Sequence, residues 1–117
     1  MSGDAQVRVA MCTVPDEAAG ERIARQLLQE RLIACANLLP AVRSLYWWEG
    51  RIDDGAEVLM LMKTTVDRTE ALKQRLPALH PYDVPELLFL PIADGLEPYL
   101  GWVVSETTAK ETRGTSA

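Results

Sequence analysis

The chemistry that this chain offers a metal ion comes from one imidazole, two thiols and a few carboxylates. His80 is the single histidine in 117 residues, and Cys12 and Cys35 are the two cysteines. A thiolate with an imidazole suits copper or zinc, whereas carboxylates such as those of Asp83 and Glu86 suit harder cations. Because one chain supplies one histidine, the sequence predicts either a low-coordinate site, as copper(I) accepts, or a site that a neighbouring subunit completes.

The hydrophobic pattern predicts four strands and three helices that would position these residues. Strands are expected at 7–14, at 34–39 with a bend at Pro40 and a continuation at 42–48, at 57–63 and at 86–92, and helices are expected to begin near Asp16, Asp67 and Asp94. Asp16 is a predicted N-cap, and Asp67 with Glu70 resembles a capping box. Pro77 and Pro81 are expected to close or kink the second helix. A turn is expected at 49–50 or 53–55.

The order of these elements, β-α-β-β-α-β-α, indicates an α+β fold of the split βαβ type. In that fold an antiparallel sheet carries its helices on one face, and here the second and third strands would form an extended hairpin. Right-handed crossovers place the first strand between the third and the fourth. Residues 1–117 are expected to form a single domain with a core of about 7–107 and with ends that fray.

This topology is expected to bring three candidate ligands to one edge of the sheet. Cys12 ends the first strand, His80 follows the second helix, and Glu86 begins the fourth strand. We therefore predict a metal site formed by Cys12, His80 and Glu86, in which Asp83 could replace Glu86 as the oxygen ligand. Cys35 begins the second strand near the opposite edge, so it is expected to be a core residue, and a disulfide with Cys12 is not expected.

Each candidate ligand also has a purely structural interpretation, and the sequence leaves both open. His80 could hydrogen-bond a carbonyl group at the end of its helix. Cys12 could be a small core residue, because free cysteines are among the most buried residues. The carboxylate of Glu86 could pair with a lysine or arginine at the edge of the sheet.

Composition and the absence of motifs exclude several classes of function. The chain has 12 Lys and Arg against 17 Asp and Glu, a net charge of -5 that disfavours binding to nucleic acid. No apolar run approaches 18 residues, and the first residues do not resemble a signal peptide, so no membrane association is expected. Two widely spaced cysteines favour a reducing compartment, and a cytoplasmic protein is expected. Without a nucleophile elbow or a phosphate-binding loop, an enzyme is not expected.

The aromatic triplet Tyr46-Trp47-Trp48 predicts contact between subunits. Alternation along a strand sends Tyr46 and Trp48 to one face and Trp47 to the other, so both faces of the hairpin carry large rings. A lone hairpin cannot cover them, and aromatic residues are enriched at protein interfaces. A base-stacking platform is the rival interpretation, but the net charge is wrong for it and the basic residues of such platforms are missing.

Six stretches of the chain, in this order, resemble the CutA divalent-cation tolerance family. The combination of HPY-x-x-PE with YWWEG is the most specific part, and the resemblance covers about 7–107. The matching stretches are Cys12–Glu17, Ala34–Pro40, Tyr46–Gly50, Met62–Thr65, His80–Glu86 and Tyr99–Trp102.

The resemblance implies a ferredoxin-like fold, a tight homotrimer and a role in tolerance of copper and other divalent cations, with no established reaction. Two residues depart from the family pattern. Leu79 stands where some members carry a second histidine, and Pro77 stands where a helix former is usual. A second class of function stays open: a trimeric signalling or scaffold module that binds a small ligand or a protein partner in clefts between its subunits.

Overall fold

The computed structural model describes residues 6–108, which form four strands and three α-helices in the predicted order. In chain order the elements are β1 (Val7–Val14), α1 (Glu17–Gln29), β2 (Cys35–Trp48), β3 (Arg51–Thr65), α2 (Thr69–Leu79), β4 (Leu88–Pro91) and α3 (Glu97–Glu106). A short 3₁₀ helix, Val66–Arg68, joins β3 to α2. The expected fraying at residues 1–5 and beyond residue 108 lies outside the described part. Within that part, no helix is both long enough and apolar enough to cross a membrane.

The four strands form one antiparallel sheet in the order β2-β3-β1-β4. β1 pairs with β3 along its whole length, from Val7 opposite Thr65 to Val14 opposite Val58. On its other side, β1 pairs with β4. The predicted place of the first strand between the third and the fourth is therefore confirmed, and so is the α+β fold class.

β2 and β3 form a hairpin that extends well beyond the rest of the sheet. They contain 14 and 15 residues, whereas β1 contains 8 and β4 contains 4. Trp48 pairs with Arg51 at the tip. The two turn residues, Glu49 and Gly50, have φ angles of 51° and 83°, as the turn that best matches the twist of a hairpin requires. The turn thus lies at the first of the two positions that the sequence suggested.

The expected bend at Pro40 is a bulge within one continuous strand. The register of β2 against β3 shifts between Leu39 and Val42, and Ala41 at the shift has a φ angle of 62°. A bulge bends its strand and increases the local twist. It therefore redirects the outer half of the hairpin relative to the half that belongs to the sheet.

The main core lies between one face of the sheet and helices α1 and α2. Gly20 on α1 allows the helix to approach the sheet closely, because a Cβ atom there would lie 2.8 Å from Leu38 Cδ2 and 3.2 Å from Val14 Cγ2. The fully buried side chains of this core come from alternate positions of β1 and β3 and from one face of each helix: Ala10, Cys12, Val14, Ile23, Leu27, Met60, Met62, Leu72 and Leu76.

A second, smaller apolar cluster closes the other end of β1. Leu100 and Val103 of α3 pack there with Val7 and Ala34. Because α3 covers this end, the end of β1 at which Val14 lies is left to other segments of the chain.

The starts of the two long helices differ from each other. Asp16 caps α1 as predicted, since its Oδ1 accepts a hydrogen bond of 2.8 Å from the backbone N–H of Ala19. The predicted capping box of Asp67 and Glu70 is wrong. Asp67 lies inside the 3₁₀ helix, and α2 begins only at Thr69, whose hydroxyl donates to the Val66 carbonyl oxygen at 3.0 Å. The short 3₁₀ helix takes the place of the expected capped start.

The segment around His80 agrees with the prediction in part. Pro77 lies inside α2 and does not end it, but the helix stops at Leu79, and His80, directly before Pro81, is extended with φ of -88° and ψ of 140°. The backbone N–H of His80 donates to the Leu76 carbonyl oxygen at 3.0 Å. The fourth strand begins at Leu88, its first residue paired with β1, and not at Glu86. Glu86 therefore lies in the loop before the strand.

Candidate functional site

Cys12 and His80 meet at the end of β1 that α3 leaves open. α2 ends directly before His80, and the Nε2 atom of its ring lies 2.8 Å from the carbonyl oxygen of Thr13. The Sγ atom of Cys12 lies 3.6 Å from the same oxygen. The thiol and the imidazole are thus neighbours that share one hydrogen-bond acceptor.

Both ring nitrogens of His80 are already hydrogen-bonded. The backbone N–H of Tyr82 donates to Nδ1 at 3.1 Å, so Nδ1 carries no proton. Nε2 therefore carries the ring proton and donates it to Thr13. The ring also lies against that of Tyr82, with centroids 4.8 Å apart. A metal ion can reach His80 only where it replaces one of these two hydrogen bonds.

The thiol of Cys12 is buried and resists ionisation. Its side chain is 0% exposed, and its pKa is raised to about 12, first by burial and then by the negative charges of Glu86 and Glu57. Loss of solvent disfavours the thiolate, and nearby carboxylates disfavour it further. At neutral pH Cys12 is therefore a thiol, and a metal ion must displace its proton to bind the sulfur.

Beside this pair lies an open cleft of about 680 Å³ between the hairpin and the loop after α2. Four of its lining residues are acidic, and Arg43, the one basic residue in the lining, donates to Asp54 through two bonds of 3.0 and 2.7 Å. The cleft therefore has an excess of negative charge. Its lining residues are Thr13, Arg43, Ser44, Leu45, Tyr46, Trp48, Asp53, Glu57, Tyr82, Asp83, Val84 and Glu86.

One hydrogen bond ties the two walls of the cleft together. The hydroxyl of Tyr82 donates to Oε2 of Glu57 at 2.7 Å. The pKa of Tyr82 is raised, first by burial and then by its hydrogen bond to the Glu57 carboxylate. This contact joins the loop after α2 to the first half of β3.

The three predicted ligands are brought to the same region but not into a ready coordination shell. Cys12 and His80 share the oxygen of Thr13, and Thr13 and Glu86 both line the cleft. Within residues 6–108, no three His, Cys, Asp or Glu side chains are grouped closely enough to hold a metal ion. Sequence reasoning did not identify Glu57, because its position at the start of an expected strand carries no signal for a long-range contact.

Cys35 is not the core residue that the sequence predicted. It lies partly exposed at the start of β2, and its Sγ atom is 3.5 Å from the hydroxyl of Tyr99 on α3. The pKa of Tyr99 is raised to about 12, first by burial and then by its hydrogen bond to Cys35. Both cysteines are free, in agreement with the expectation that they form no disulfide.

The outer half of the hairpin exposes an apolar surface, which we call the hairpin patch and define as Leu45, Trp47 and Ile52. Trp47 pairs with Ile52 across the two strands, and the two side chains are 72% and 63% exposed. Leu45 lies two residues before Trp47 on the same face and is 61% exposed. Tyr46 and Trp48 on the opposite face line the cleft, and so does Leu45, whereas Trp47 and Ile52 do not.

Comparison with known proteins gives consistent matches over most of the chain. The family model described as CutA1 divalent ion tolerance protein matches residues 8–106. The divalent-cation tolerance protein CutA of Pectobacterium atrosepticum is 48% identical over 95 residues, which are 81% of this chain and 86% of that protein.

Solved structures match in the same way. The crystal structure of CutA1 from Oryza sativa has a TM-score of 0.86 and 40% identity over 92% of this chain and 98% of that one. A protein described as a periplasmic divalent cation tolerance protein, CutA from Archaeoglobus fulgidus, has a TM-score of 0.84 and 32% identity over 87% of this chain and 99% of that one.

Proposed function

This chain belongs to the CutA1 divalent ion tolerance protein family, and from that premise we propose that it is a homotrimer that binds copper or other divalent cations in metal homeostasis. Cys12 and His80 are the proposed soft ligands, and Glu86 is the proposed oxygen ligand. The proposed role is binding, not catalysis. A cytoplasmic location is part of the proposal, supported by two free thiols, which suit a reducing compartment.

The observation that carries the proposal is the shared oxygen of Thr13. A thiol at 3.6 Å and an imidazole nitrogen at 2.8 Å from one atom are placed so that both could bind the same ion once these hydrogen bonds are released. A thiolate with an imidazole is a donor pair for copper or zinc. The carboxylate of Glu86 is near enough for its charge to raise the pKa of Cys12, so it can also attract a cation.

The trimer is supported by the shape and exposure of the hairpin. β3 pairs with β2 on one side, and on its other side it pairs with β1 only from Val58 onward. Among the described residues, no strand therefore pairs with that other side of β3 before Val58. Exposed strand edges are normally paired or covered, because they otherwise promote aggregation. The hairpin patch adds large apolar side chains of the kind found at subunit interfaces. We expect light scattering at micromolar concentration to give the molar mass of three chains. The molar mass of one chain would contradict the trimer.

Calorimetric titration of copper(I) and copper(II) into the metal-free protein tests the metal site. We expect Cys12→Ser and His80→Ala each to weaken copper binding by at least tenfold, about 1.4 kcal/mol, because each removes one of two soft ligands. Cys35→Ser is the matched control, since it changes the same kind of residue at the other end of the sheet, and its affinity should equal that of the parent. Parental affinity in both Cys12→Ser and His80→Ala would place copper binding elsewhere.

The cleft of about 680 Å³ supports a second candidate function, a trimeric signalling or scaffold module that holds a small ligand between subunits. Its volume lies in the range of small-molecule sites, and its walls combine aromatic rings with carboxylates. The two functions differ in what they require of Cys12 and His80. The scaffold would keep its ligand when both are replaced, whereas the cation site would be lost.

A further inference from the structure

We infer that the hydrogen bond between Tyr82 and Glu57 is a latch that controls access to the proposed cation site, with both residues acting as positioning residues. The inference rests on the proposed function, because it concerns the regulation of that site. It follows from how residues 80–87, here called the strap, are attached to the rest of the molecule.

The strap links the end of α2 to the start of β4 and contains no helix or strand residue. It carries two of the three proposed ligands, His80 and Glu86. Leu87, its last residue, packs against the main core. Since the strap has no regular pairing of its own, its side chains must hold it in position.

Two side-chain hydrogen bonds hold the strap to the sheet. At its start, Nε2 of His80 donates to Thr13 on β1 at 2.8 Å. Two residues later, the Tyr82 hydroxyl donates to Glu57 on β3 at 2.7 Å. A hydrogen bond to a carboxylate is stronger than one between neutral groups, so the second attachment is the stronger of the two.

Cation binding would break a hydrogen bond of the His80 ring and leave the bond between Tyr82 and Glu57 intact. A cation must take a ring nitrogen of His80, and both nitrogens are now bonded, so coordination disrupts the contacts of the ring. Cys12 is 0% exposed, and its thiol shares the Thr13 oxygen with that ring, so we expect a cation to reach the sulfur only when the strap moves. The Tyr82–Glu57 bond then determines how far and how often the strap opens, because it holds the same segment from outside the ligand set.

The rate at which a small thiol reagent labels Cys12 reports this opening without any metal. In a Cys35→Ala background, where Cys12 is the one remaining thiol, we expect Tyr82→Phe to raise the rate of labelling by N-ethylmaleimide about tenfold. Tyr99→Phe is the matched control, since it removes a phenol oxygen at the other end of β1, and it should leave the rate unchanged. Tyr82→Phe alters no charge near the thiol, so a faster rate reports access.

A double-mutant cycle assigns the effect to the hydrogen bond. In a Glu57→Ala background the latch is already absent, so adding Tyr82→Phe should change the labelling rate by less than about twofold. The inference is overturned if Tyr82→Phe labels at the parental rate, or if it accelerates labelling equally with and without Glu57. It is also overturned if the rate rises only in proportion to the global unfolding constant measured in urea.

Copper titration of the same variants separates the latch from the proposed function. If Tyr82→Phe speeds labelling but neither it nor the parent binds copper, the latch stands as a control on access to Cys12 and the cation site fails. If copper binds through Cys12 and labelling is unaffected by Tyr82→Phe, the cation site stands and the latch fails.

Discussion

The two cysteines of this chain lie near opposite ends of the sheet, and their surroundings differ in a way that burial alone does not reveal. Cys12 is fully buried, yet it shares a carbonyl oxygen with the imidazole of His80 and lies near two carboxylates. Cys35 is more exposed, but its neighbour is the phenol of Tyr99. The more accessible thiol therefore has the poorer set of metal ligands around it.

The two ends of β1 show why this difference arises. At one end, α3 places Leu100 and Val103 over Val7, which leaves an apolar, closed surface. At the other end, the strap closes the sheet with polar side chains that include His80. An end that is closed by polar side chains can exchange them for a ligand, whereas an end that is closed by an apolar helix cannot.

Replacing each cysteine by serine should show the difference between their surroundings most clearly. Cys12→Ser is expected to lower the free energy of unfolding by about 1–3 kcal/mol, because a hydroxyl loses apolar burial in a closed core. Cys35→Ser is expected to cost less than about 1 kcal/mol, since a partly exposed hydroxyl can bond water or Tyr99. Urea unfolding at a fixed protein concentration measures both, with the parent as reference.

Equal losses of unfolding free energy in Cys12→Ser and Cys35→Ser would show that the surroundings of the two cysteines differ less than their burial indicates. A larger loss for Cys35→Ser would restore the expectation, drawn from the sequence, that this residue belongs to the core. That expectation followed from the apolar residues before it, which do lie in buried positions, but the chain places Cys35 itself at the edge strand beside α3.

The loss of stability at alkaline pH tests the burial of Cys12 separately, with a smaller expected effect. The pKa of Cys12 in the folded protein is raised to about 12, above its ordinary value. A raised pKa stabilises the fold below the ordinary pKa of a thiol, and that stabilisation is lost as pH rises toward 12, because the unfolded chain ionises first. Between pH 8 and pH 10.5, the parent and Cys35→Ala should therefore lose more stability than Cys12→Ala. Parallel curves for Cys12→Ala and Cys35→Ala would contradict the raised pKa.

Most of the fold could be predicted from hydrophobic pattern and topology. The place of β1 between β3 and β4 follows from the handedness of crossovers, and that place alone predicts that Cys12 and the segment after α2 lie close together. The start of α1 at Asp16 was predictable because capping is a local interaction. Local rules and chain connectivity were sufficient for these features.

The details of the candidate site could not be predicted, because they depend on contacts between distant residues. The hydrogen bonds of His80 to Thr13 and of Tyr82 to Glu57 span 67 and 25 positions, and no local pattern encodes either. The start of α2 was misjudged for a related reason. A 3₁₀ helix at Val66–Arg68 competes with the capping box, and both are compatible with the same local sequence.

Copper K-edge absorption spectroscopy of the copper(I)-loaded protein is the most direct test of the claim that Cys12, and not Cys35, provides the thiolate of the cation site. We expect a sulfur and an imidazole nitrogen among the copper ligands of Cys35→Ser, and no sulfur ligand in Cys12→Ser. A sulfur ligand that persists in Cys12→Ser, or is absent from Cys35→Ser, would contradict it.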